Sequence, residues 1–125
     1  MMSCHFAATA HRIFAFDLER LVEGSELQAH DPAVIANAGA CELGKWILDR
    51  EAQYATLPHF QELCLCHQRF HEVAGEMVRK FDSGDIQGAR VIEETTFRDL
   101  SASVLAAIQA MGEELDRGAG KPHGM

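Results

Sequence analysis

The sequence predicts an all-α fold: an antiparallel four-helix bundle with a short extra helical segment before helix 2. Three observations carry that prediction. Apolar residues recur at intervals of three and four almost throughout the chain. No stretch alternates apolar and polar residues as a half-buried strand would. Short clusters of turn-forming residues separate the periodic segments, and helices joined by short turns pack antiparallel.

The first helix is predicted over residues 3 to 23, with Ala7, His11, Phe14, Leu18 and Leu21 on one face and Gly24 placed as its C-cap. Residues 24 to 30 read as a polar connection. Asp31 and Pro32 suit the N-cap and first position of a short helical piece, which Gly39 interrupts. CELGKWILDREAQ continues as the second helix, residues 41 to 53. Thr56-Leu57-Pro58 restarts the chain, since Thr56 can cap and proline fits a first turn. The third helix runs to about residue 82, its apolar face made of Phe60, Leu63, His67, Phe70, His71, Ala74, Val78 and Phe81. Ser83-Gly84-Asp85 is a stop followed by a new cap. The fourth helix, 86 to 116, is expected to bury Ile86, Ala89, Phe97, Leu100, Val104, Ile108, Met111 and Leu115. The ending GAGKPHGM reads as a flexible tail, so residues 1–117 are taken as one domain and 118–125 as the tail.

Composition narrows the function. The chain has 125 residues, 47% hydrophobic and 24% charged, which suits a packed core rather than disorder. Eleven basic against nineteen acidic residues give a formal charge of −8, which argues against a general nucleic-acid binder or a binder of anionic membranes. The start, MMSCHFAATAHRIFAF, lacks the positive lead of a signal peptide, and His5, His11 and Arg12 interrupt its apolar stretch. No apolar run approaches the roughly 18 residues of a membrane span. The expected location is the cytoplasm, where Cys4, Cys41, Cys64 and Cys66 stay reduced as free thiols or metal ligands.

Three histidines fall on predicted apolar faces. His11 lies on the first helix; His67 and His71, four residues apart, lie on the third and differ by only about 40° around its axis. A buried imidazole needs a partner, and one such residue is most simply a hydrogen-bonded core histidine. Three facing one core would need three separate partners, or one shared metal ion. Cys41, at the start of the second helix, can join them, because a helix N-terminus favours the thiolate that binds metal. A small buried cysteine is the plainer reading of that residue alone. Leu43 and Trp46 are expected to pack inward, and Gly44 to permit a close approach. Three imidazoles and one thiolate form a tetrahedral set suited to Zn²⁺ rather than Mg²⁺ or Ca²⁺. Asp17, Glu62 and Glu72 are nearby carboxylates that could offset its charge.

These residues carry a resemblance to the bacterial chemoreceptor zinc-binding domain family, CZB. Its pattern is a histidine with an aromatic or leucine three residues on, then Cys-x-apolar-Gly-x-aromatic, then His-x-x-x-His. His11-Arg-Ile-Phe14 matches the first part, and 26 residues separate it from Cys41-Glu-Leu-Gly-Lys-Trp46. After 20 more, His67-Gln-Arg-Phe-His71 completes the set. The resemblance implies a zinc-binding four-helix domain that dimerises and serves as a regulatory sensor in chemoreceptor or diguanylate cyclase (cyclic-di-GMP-making) pathways. Members respond to zinc and, in some cases, to oxidants at the ligand cysteine. The chain leaves no room for a fused signalling domain, so a free-standing sensor acting in trans is expected. The alternative is a structural-zinc interaction module or a zinc buffer.

The remaining candidates are weaker. Cys64 falls within about 60° of His67 and His71, and Cys66 points nearly opposite, so the pair cannot chelate on a regular helix. Cys64 is read as a packing residue, with a stand-in ligand or resolving thiol as the alternative; Cys4 is structural or incidental. His5, His30, His59 and His123 lack ligand spacing and read as surface or cap residues. An enzyme is not expected. A zinc hydrolase of the HExxH type has Glu where this chain has Gln68, and four protein ligands leave no position for water. A di-iron carboxylate bundle needs a Glu three residues before a histidine, which is absent here.

Overall fold

The computed structural model describes residues 4–23 and 32–116, without the side chain of Ala40. The predicted Gly24 cap, the 24–30 connection, the Asp31 cap, His30, His123 and the 118–125 tail lie outside the described residues. Those described are almost wholly helical, and no strand occurs among them. The elements are α1 (Cys4–Val22), the short α2 (Pro32–Ile35), a 3₁₀ turn (Ala38–Ala40), α3 (Glu42–Tyr54), α4 (Pro58–Asp82), α5 (Ile86–Ile92), a π-helical turn (Glu93–Phe97) and α6 (Arg98–Asp116). The last three form one continuous rod. The four long rods make an all-α bundle in which α1 packs on α3 and α6, and α4 packs on α6 and α3. No helix among the described residues is long and apolar enough to cross a membrane.

Apolar periodicity builds the core. α4 contributes Phe60, Leu63, Phe70, Ala74, Met77 and Val78, all essentially inaccessible to solvent. α1 adds Ala7, Leu18, Leu21 and Val22; the fourth rod adds Phe97, Val104, Ile108 and Met111. Phe14, Phe81, Leu100 and Leu115 are only partly buried and pack around this core. α2 lies close on α4: a Cβ at Gly75 would come within 2.7 Å of the Ala36 Cβ, so only glycine allows the approach without a shift. α4 begins without the expected side-chain cap. Leu57 is the N-cap and makes no capping bond, while Thr56 is exposed in the preceding turn. Pro58 at the first position removes one of the orphan N–H groups outright.

The fourth rod departs from the sequence reading. Ile86 is 40% exposed rather than buried. In an unbroken α-helix, Ile86 and Phe97 would sit three turns apart on nearly one face. The π turn widens the step, so the inward positions run Ala89, Glu93, Phe97, each four residues on. Ile86, at the first position of α5, stays outside the core, while Glu93 is carried in, to 1% exposure.

Burial of Glu93 is poorly compensated. Its Oε2 has no hydrogen-bond partner, and the Arg98 guanidinium stands 3.8 Å away. Loss of solvent, followed by a hydrogen bond and charge repulsion from Glu23 on the end of α1, pushes the Glu93 carboxyl up to about 7; Arg98 opposes this and Glu19 adds to it. An acid whose folded pKa is raised takes up protons on folding. Its favourable contribution is full below the unfolded value near 4.5 and is lost as pH rises through about 7. Glu93→Gln keeps the shape without the charge. The melting-temperature advantage of E93Q over wild type is expected to grow between about pH 5 and pH 8; an offset that does not change with pH contradicts the buried-carboxyl assignment.

Candidate metal centre

α3 begins at Cys41, which is its N-cap in extended conformation, φ −88° and ψ 167°. This turns Sγ back over the first turn, where it accepts the Gly44 N–H at 3.2 Å. Gly44 is the residue that makes the geometry possible. A Cβ there would run into the Ala38 carbonyl of the 3₁₀ turn, so the turn that presents Cys41 could not close against α3. Leu43 and Trp46 point inward as expected, at 1% and 4% exposure.

On α4, His67 and His71 occupy one face and are buried, with ring centroids 4.6 Å apart. Cys41 Sγ lies 3.3 Å from His67 Nε2 and 3.2 Å from His71 Nε2. These three donor atoms are the group among the described residues able to share one metal ion. For zinc–sulfur and zinc–nitrogen bonds of about 2.3 and 2.0–2.1 Å, tetrahedral geometry separates S from N by about 3.5 Å. The observed spacings need only a few tenths of an ångström of adjustment.

The donor chemistry fits as well as the spacing. His71 Nδ1–H donates to the Ile35 carbonyl at 2.7 Å. That bond fixes the neutral tautomer and leaves the Nε2 lone pair directed toward Cys41. The ion-free thiol has one proton, yet the two imidazole nitrogens and the Ala38 carbonyl, 3.6 Å away, all surround it. A cation bound by the three donors would satisfy them together.

Electrostatics keep the imidazoles neutral, the form that binds metal. Burial, then the neighbouring imidazoles, lowers His67 to about 3. Burial, His71 and Arg12 lower His11 to about 4. Burial lowers His71 too, against the opposing bond to Ile35. The Cys41 thiol is pushed up, because burial outweighs the N–H groups at the start of α3 that favour the thiolate. The helix terminus therefore does not ionise this thiol alone; a cation must complete the change.

His11, the fourth residue expected from sequence, is buried at 2% exposure but is not among the converging donors. Its Nε2 shares a hydrogen bond of 2.8 Å with Ser101 Oγ on α6. Its ring rests on Phe70, centroids 4.7 Å apart. Phe70 also meets His71 at 5.4 Å and Phe97 at 5.0 Å, so one buried ring braces imidazoles from two helices.

The expected carboxylate neighbours hold no ligand. Glu62 faces His59 on the surface at 3.4 Å, and Asp17 and Glu72 line the two grooves beside the site. The Ile35 carbonyl bonds His71 instead, and the Ser101 hydroxyl bonds His11. A backbone carbonyl leaves no trace in sequence. Ser101 does leave one: a small polar residue one turn after Phe97, beside the apolar stripe. Cys64 is partly buried against the core and lines the groove beside His67, while Cys66 lines another groove with Leu100. The two thiols thus face different grooves, as their spacing predicts.

A family model described as the chemoreceptor zinc-binding domain matches residues 11–78. Comparison with curated proteins and with solved structures returns no match. Cys41→Ala removes the sulfur donor and is expected to weaken zinc binding by about a hundredfold or more in a competition titration. Cys64→Ala is expected to leave the affinity unchanged. Equal losses in the two variants would contradict the donor set.

Proposed function

From a chain that belongs to the chemoreceptor zinc-binding domain family, we propose a regulatory zinc module of bacterial signalling that senses zinc, oxidants or both. It acts in trans on a chemoreceptor or diguanylate cyclase pathway, as a homodimer in the cytoplasm. Cys41, His67 and His71 hold the zinc, and His11 supplies the fourth donor. The carrying observation is the convergence of a half-buried thiol and two buried imidazoles from α3 and α4, with a third buried imidazole on α1 that rests on the same Phe70 ring as His71.

When bound, Zn²⁺ supplies one positive centre shared by donors from separate helices. The chain does the rest. Gly44 and the 3₁₀ turn aim the Cys41 sulfur. The Ile35 carbonyl holds the His71 tautomer, and Phe70 fixes ring positions. A groove of about 510 Å³, lined by Ile13, Phe14, Val34, Ile35, Cys41 and His71 among others, gives solutes a route to the sulfur. A peroxide reaching it would convert the thiolate to the sulfenic acid, the O–O bond breaking to release hydroxide or alkoxide that takes a proton from water, and this would withdraw a donor. A non-enzymatic role follows from the same donors, because four protein ligands leave no position for a substrate or an activated water. Gln68, exposed beside His67, has no carboxylate to act as a base.

Zinc removal tests the reading. With free zinc about a thousandfold above Kd, binding contributes about 4 kcal/mol, so chelation is expected to lower the melting temperature by roughly 10–20 °C. A melt insensitive to chelator would contradict it. Titration against a chelator of known affinity then separates the roles. Exchange at trace free zinc supports sensing of zinc, whereas zinc retained throughout favours a resident metal and sensing of oxidants.

A further inference from the structure

The His11–Ser101 contact has no counterpart among the other donors. Cys41, His67 and His71 point at one another, while the fourth buried imidazole is turned to a hydroxyl on a different helix. While that bond stands, His11 Nε2 is unavailable to a metal, whichever group supplies the proton. If Nε2 carries it, the nitrogen has no lone pair; if Ser101 carries it, the lone pair is already engaged. Neither His11 nitrogen belongs to the set of donors lying within 4.8 Å of one another. Held on Ser101, the ring brings neither nitrogen to the cluster, so reaching it requires the ring to turn away from the hydroxyl, and at 2% exposure water is a poor alternative partner. Ser101 can release it cheaply, because a helical serine can turn its hydroxyl to the carbonyl four residues back.

We infer that Ser101 is the zinc-free partner of His11, so that the hydroxyl competes with the metal for this imidazole and thereby sets the zinc affinity. The inference rests on His11 being the fourth donor. Its consequence is mechanical. Binding zinc breaks a polar tie between α1 and α6 and replaces it with one from α1 to α3 and α4. The fourth rod, which holds no metal donor, then registers occupancy through the loss of its bond to His11.

The test measures zinc Kd by competition with a chromophoric chelator for wild type, Ser101→Ala, Ser101→Thr, His11→Ala and the H11A/S101A double variant. Removing the hydroxyl deprives only the zinc-free state of a partner for His11. S101A is expected to bind zinc about threefold to tenfold tighter. S101T, which keeps a hydroxyl, is expected to match wild type, and S101A is expected to change nothing in the H11A background. Weaker binding by S101A would overturn the inference, because the hydroxyl would then be supporting the bound imidazole rather than competing for it. Unchanged binding by S101A overturns it too, provided H11A alone is weakened. An H11A variant that binds as tightly as wild type instead removes the underlying assignment of His11 as a donor.

Discussion

The structure around the candidate metal centre depends on placing one thiol and two imidazoles in contact where water is scarce. Cys41 Sγ sits 3.2–3.3 Å from two Nε2 atoms. Without an ion, such a cluster has an excess of acceptors over protons, and desolvation opposes the charges that would remedy it. The neighbouring features serve to hold that arrangement. Gly44 lets the 3₁₀ turn close on α3, Gly75 lets α2 lie against α4, and the Ile35 carbonyl at the end of α2 orients His71. A segment of four residues thus makes a contact that helix packing alone would not provide.

The second unusual feature, the π turn in the fourth rod, meets Phe70 through Phe97, and Phe70 in turn meets His71. It carries Glu93 inward against Glu23 and Arg98. Two buried polar arrangements therefore share one aromatic brace: the donor cluster, and a carboxyl held well above its ordinary range. The first favours neutral imidazoles and the second favours a neutral carboxyl. Their contributions to stability run in opposite directions with pH. The imidazoles penalise folding in acid, and Glu93 penalises it above neutrality.

The bundle and the converging Cys41, His67 and His71 could be read from sequence because they rest on local rules. Helical periodicity puts His67 and His71 on one face, and Cys41 precedes Gly44 at the spacing of a cap. Other features depend on contacts that sequence spacing does not encode. Ile86 matches the apolar stripe of a regular helix, yet at the first position of α5 it is left 40% exposed, and the π turn that begins at Glu93 is not marked by the apolar spacing. The Ile35 carbonyl is a backbone group, and Ser101 is ninety residues from His11. The N–H groups at the start of α3 favour the Cys41 thiolate as expected, but burial, which spacing does not show, exceeds their pull. Sequence therefore brings the thiol and the imidazoles to notice, while tertiary contacts determine what surrounds them.

The central claim is one zinc ion held by His11, Cys41, His67 and His71, and the shell around the metal tests it most directly. X-ray absorption at the zinc edge of the purified, zinc-loaded protein is expected to show one sulfur at about 2.3 Å and three nitrogens at about 2.0–2.1 Å. A shell with no sulfur, with two sulfurs, or with only two histidine nitrogens would contradict it.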